Sequence, residues 1–90
     1  MNKKSMIKKY RREIDKIHWR LILLIVKRNN ICNKIRKLKN ELGLPRIDIE
    51  REKQMIRDAR KSAKRLEIND KVVIKIMNML IRKNLGKRIR

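Results

Sequence analysis

From Ser5 to Leu42, about 38 residues, the chain contains neither glycine nor proline. Apolar residues recur there at Ile7, Tyr10, Ile14, Ile17, Leu21, Leu24, Ile25, Ile31, Cys32, Ile35, Leu38 and Leu42. Steps of three and four place them on one stripe, the pattern of a single amphipathic helix. At 1.5 Å per residue that helix is roughly 57 Å long. A compact chain of 90 residues has a radius of gyration of only about 12 Å. The helix therefore outruns anything its own chain can lay against it, while its apolar stripe continues along the overhang. A second copy covering that stripe is the expected remedy, giving a homodimer intertwined around paired first helices, each contact made twice by symmetry.

The rest of the chain reads as two shorter helices. Gly43-Leu44-Pro45 ends the first, with Gly43 suited to a left-handed cap and Pro45 unable to continue a helix. Asp48 offers an N-cap for a second helix whose inner stripe is Glu52, Met55, Ile56, Ala59, Ala63 and Leu66. The pattern breaks over residues 67–69, and Asn69 or Asp70 can cap a third helix running through Val73, Ile76, Met77, Leu80 and Ile81. The expected fold is all-α, three helices over roughly 5–42, 48–66 and 70–88, in a single domain spanning 1–90. With two Gly, one Pro and no Phe, the chain has the means for about two breaks. Ninety residues lie near the low end of what buries a self-sufficient core.

A net charge of +20, from 29 Lys and Arg against 9 Asp and Glu, calls for an anionic partner. Nucleic acid, an anionic membrane surface and a small anionic ligand are the three candidates. Helix-turn-helix spacing, a zinc site and RNA-binding motifs are all missing, and Trp19 and Tyr10 are too few for a base-stacking surface, so nucleic acid is disfavoured. The basic and polar residues do not separate from an aromatic-rich face, which disfavours the membrane surface. The longest wholly apolar run, Leu21 to Val26, is too short for a membrane span or a signal core. Cys32 is the only cysteine, so no internal disulfide forms, and a soluble protein of the reducing cytoplasm is expected.

Most of the cations belong to solvated faces, but a few lie within the apolar stripes. Arg28 follows Ile25 by three residues, and Lys39 follows Ile35 by four. Being eleven residues apart, they differ by about 20° around the axis and about 16 Å along it. Long side chains from both can converge on one ligand. Arg11 lies about 25 Å from Arg28 on the same helix, so it reaches such a ligand only from a paired chain. Asp48, Arg51 and Glu52 have spacing that shares a face of the second helix, while Asn84 and Arg88 extend the stripe of the third. Charges withdrawn from water persist where a partner or ligand satisfies them. Four cations and Arg11 of the partner subunit, offset by Asp48 and Glu52, suit a small dianion bound through carboxylates. His18 lacks ligands at metal spacing and reads as a structural or surface histidine, and Cys32 as a small buried hydrophobe.

The ordered set Arg11-x-x-Ile14-Asp15, Arg28, Lys39, Gly43-x-Pro45 and Asp48-x-x-Arg51-Glu52 resembles the all-helical (AroQ-type) chorismate mutases, across residues 7–88. The resemblance implies an intertwined dimer of three-helix chains that rearranges chorismate to prephenate in aromatic amino-acid biosynthesis, without cofactor or metal. Arg28 and Arg11 of the partner subunit are implied to hold the two substrate carboxylates. Lys39 is implied to reach a carboxylate and the ether oxygen. Glu52 and the backbone near Asp48 are implied to hold the ring hydroxyl, with Arg51 and Asn84 completing the wall. The family usually carries Gln or Glu where this chain has Arg88, which can donate to the ether oxygen in their place. His18 stands where the family often has Asp. An isochorismate-pyruvate lyase shares this fold and a related pericyclic reaction. A scaffold retained only for dimerisation, or a basic helical protein binding nucleic acid, are the non-enzymatic alternatives.

Overall fold

The computed structural model describes residues 2–82. They form three helices: α1 Lys3–Leu42, α2 Ile49–Arg65 and α3 Asp70–Arg82. Among the described residues there is no strand. Asn84 and Arg88, with the remainder of the expected third helix, lie outside the described residues.

Each helix end has an identifiable local cause. The Asn2 side chain accepts from the Ser5 amide at 2.8 Å, capping α1. At the other end Gly43 sits at φ 68°, and the Leu44 amide donates to the Lys39 carbonyl at 2.9 Å, closing the last turn. Asp48 caps α2, its Oδ1 accepting from the Arg51 amide at 3.1 Å. Asn69 caps α3 by accepting from the Val72 amide at 3.3 Å. Between α2 and α3 the chain repeats the Gly43 geometry without a glycine. Glu67 takes φ 56°, and the Ile68 amide reaches back to the Ala63 carbonyl at 3.0 Å.

The packed part is the α2–α3 hairpin. Ala63, 1% exposed, is the only fully buried side chain among the described residues. Glu52, Met55, Ile56 and Ala59 line the same face of α2 and are half-buried. Leu66, expected on that stripe, is 67% exposed because the helix ends there and the chain turns away. On α3 the inner face comprises Val73, Ile74, Met77, Asn78, Leu80 and Ile81. Ile76, also expected inside, is 53% exposed. It sits more than about 100° around the axis from the middle of that set at 100° per residue.

α1 stands apart from this hairpin for most of its length. The molecule measures 61 × 32 × 21 Å with a radius of gyration of 17.5 Å, well above the value of about 12 Å for a compact chain of this size. Every residue from Asn2 to Leu24 is exposed. Ile7, Tyr10, Ile14, Ile17, Leu21 and Leu24 are left between 48% and 61% open, an apolar stripe that no other described residue covers. None of the described helices is long and apolar enough to cross a membrane.

Candidate active site

The part of α1 that meets the hairpin is short and polar. Ile25, Arg28, Asn29, Cys32, Arg36 and Lys39 are half-buried, and apart from the adjacent pair Arg28 and Asn29 their steps of three and four share one face. The Arg28 Nη1 donates to the Leu80 carbonyl at 3.0 Å, so this face looks towards α3. A guanidinium has five N–H donors, so the others remain for a ligand. The Lys39 Nζ donates to the Arg46 carbonyl at 3.4 Å, a long contact that tethers the ammonium to the α1–α2 connection. Arg28 and Lys39 thus lie on one partly sheltered face, as their eleven-residue separation requires.

Glu52 belongs to the hairpin. It lines a groove of about 760 Å³ between α2 and α3, together with Ile47, Ile49, Ile56, Asn78 and Ile81. Asp48 and Arg51 are exposed and locally engaged. The Asp48 carboxylate caps the helix, and the Arg51 Nη1 donates to the Gln54 Oε1 at 3.1 Å. Arg11 lies on the open stretch of α1, about 25 Å along the helix from Arg28 and with an exposed side chain. A single chain therefore sets Arg28 and Lys39 on one face of α1 and Glu52 on the hairpin, while Arg11, Asp48 and Arg51 stay exposed.

The electrostatics are lopsided. Among the described residues the only ion pair is Lys53 with Glu50, at 3.9 Å on an exposed turn. None of Arg28, Arg36, Lys39 and Glu52 has a charged partner within this chain's described residues. Cations gathered without acids, against low-dielectric walls, raise the local positive potential and concentrate anions. No group of three His, Cys, Asp or Glu among the described residues could hold a metal ion.

Sequence reasoning passed over Arg36, Asn29 and Asn78, all half-buried. The signal was present for Arg36, four residues after Cys32 and three before Lys39. Ile35, next to it, was the apolar choice for the stripe, and it is 47% exposed.

The profile of the family described as chorismate mutase type II matches residues 10–86. A chorismate mutase of Methanocaldococcus jannaschii is 36% identical over 74 residues, covering 82% of this chain and 75% of that protein. The chain belongs to the chorismate mutase type II family. No solved structure matches it. Membership agrees with the three-helix, strand-free architecture, and the family match takes in Arg11, Arg28, Lys39, Asp48, Arg51, Glu52 and Asn84, stopping short of Arg88.

Proposed function

We propose that this chain is a chorismate mutase, an isomerase that converts chorismate to prephenate in aromatic amino-acid biosynthesis, acting as a cytoplasmic, intertwined homodimer. The observation that carries the proposal is the pair Arg28 and Lys39: half-buried, on one face, and without an acid partner among the described residues. Such a face suits a doubly negative guest of small size.

The reaction is unimolecular. One ether C–O bond breaks as one C–C bond forms, so no nucleophile, general base or external electron carrier is called for. The protein has two tasks. It restricts a flexible dianion to its folded, reactive conformer, a contribution of the kind that intramolecular reactions obtain from orientation. It also sets fixed positive charge where negative charge grows on the ether oxygen. Arg28 and Arg11 of the partner subunit hold the carboxylates in this reading, and Lys39 reaches a carboxylate and the ether oxygen. Glu52 and the Asp48 backbone take the ring hydroxyl, Arg51 and Asn84 close the wall, and Arg88 donates a second hydrogen bond to the ether oxygen. The open stripe of α1 supports the dimer, because a second copy offers a matching length of apolar helix.

The test is the loss of chorismate absorbance in the ultraviolet, with no metal or nucleotide added and isochorismate run alongside. Lys39→Ala and Arg28→Ala are each expected to lower kcat/KM by about 10² or more, roughly 3 kcal/mol at the transition state. Equal rates for both variants and the parent would remove the site assignment. Turnover of isochorismate alone would make the chain a lyase. Salt-steep binding to duplex DNA, with chorismate inert, would replace the enzyme by a nucleic-acid-binding protein.

A further inference from the structure

α1 carries a third cation on the face that Arg28 and Lys39 share. Arg36 is half-buried and lies one turn before Lys39. Residues at that spacing are neighbours, with Cβ atoms about 5–6 Å apart. Two like charges so placed repel each other, and partial withdrawal from water strengthens the repulsion. Nothing in the described chain relieves it. Arg36 has no ion-pair partner and no side-chain hydrogen bond among the described residues, and Lys39 has only the Arg46 carbonyl. An adjacent, sheltered, unneutralised cation pair is an arrangement that an incoming carboxylate relieves.

We propose that Arg36 is a substrate-binding residue of this enzyme. With Lys39, and beside Arg11 of the partner subunit, it forms a two-cation seat for one carboxylate of the dianion, while Arg28 serves the other. This inference rests on the reading of the chain as a chorismate mutase. A carboxylate keeps its charge from ground state to transition state, so Arg36 stabilises both alike and acts on KM rather than kcat. Lys39, at the ether oxygen, acts on kcat. Because the added attraction is partly solvent-exposed, salt weakens it.

The experiment is steady-state kinetics on wild type, Arg36→Gln and Arg36→Lys at low and high salt, with calorimetric titration of chorismate into each. Arg36→Gln is expected to raise KM and the dissociation constant by about 5–10-fold, leaving kcat within about twofold, the signature of lost uniform binding. Arg36→Lys restores KM, because charge rather than shape is at stake. Added salt raises the wild-type KM more than that of Arg36→Gln. Arg36→Met, which keeps the aliphatic stem and a high helix propensity, is the second neutral variant should Arg36→Gln lose its helical circular dichroism. An active wild type whose KM is unchanged in the neutral variant overturns the role of Arg36 alone. A raised KM that Arg36→Lys does not rescue overturns it too, leaving a packing role. A wild type that neither converts nor binds chorismate overturns the mutase reading and this one with it.

Discussion

Replacing Ile17 and Leu21 together by asparagine tests the paired-helix arrangement at its centre. In the single chain these side chains are 52% and 51% exposed. Fully burying an Ile or Leu side chain is worth about 1.5–3 kcal/mol, so covering the remaining half gains roughly 0.8–1.5 kcal/mol each. A symmetric pair carries each position twice, and four side chains together supply about 3–6 kcal/mol of association free energy by that measure. The double variant therefore weakens dimerisation by at least about 10²-fold, at 1.4 kcal/mol per decade. Amides buried without partners add to this, at about 1–3 kcal/mol apiece. Sedimentation equilibrium across a range of protein concentrations reads the effect directly. If Arg11 serves the partner's site, specific activity falls with the dimer fraction and recovers on concentrating the protein. A wild type that sediments as a monomer, or a double variant that remains dimeric at the same dilution as its parent, refutes the reasoning.

Other consequences are smaller. Ala63→Leu places three extra carbons at the only fully buried position among the described residues and is expected to lower stability by about 1–3 kcal/mol in chemical denaturation. Glu67→Gly, at φ 56°, relieves left-handed strain of about 1–2 kcal/mol against the entropy glycine adds to the unfolded chain. The net gain is about 0.5–1 kcal/mol, seen as a higher thermal midpoint at fixed protein concentration. Arg88→Gln is expected to retain most of the activity and Arg88→Ala to lose it, since a donor to the ether oxygen survives only in the former; equal rates for both would place Arg88 outside the site.

The architecture was legible wherever a local rule sufficed. Gly43 and Asn69 marked helix boundaries because a left-handed turn and a side-chain cap are short-range requirements, and each is met within five residues. The helix length followed from periodicity, and the overhang followed from the length. Arg28 and Lys39 were legible because a separation close to a whole number of turns fixes a common face whatever that face meets. Spacing alone does not say which face that is. Asp48, Arg51 and Glu52 share a spacing, yet only Glu52 is half-buried, while the exposed Asp48 carboxylate caps the helix and the exposed Arg51 donates to Gln54. The same limit let Ile35 stand in for Arg36, and Ile76 for Ile74. Two adjacent positions differ by about 100°, and apolarity, the usual arbiter, chose wrongly where the sheltered residue was charged.

That last failure bears on the whole molecule. A stripe carrying Arg28, Arg36 and Lys39 without acids opposes its own closure, and bringing two chains of +20 together adds Coulomb repulsion to the cost of assembly. In the proposed dimer the apolar stripe of α1, open on one chain between Ile7 and Leu24, supplies the opposing free energy. In that reading the substrate acts as the missing acid. A dianion that binds only the assembled dimer stabilises it by RT ln(1 + [L]/Kd), about 2.7 kcal/mol at hundredfold excess. If the dimer and the site are as proposed, assembly, substrate binding and catalysis draw on the same unpaired cations. Removing one of them relieves the empty dimer and weakens the occupied one, so stability of the free protein and affinity for its substrate are expected to move in opposite directions along this face.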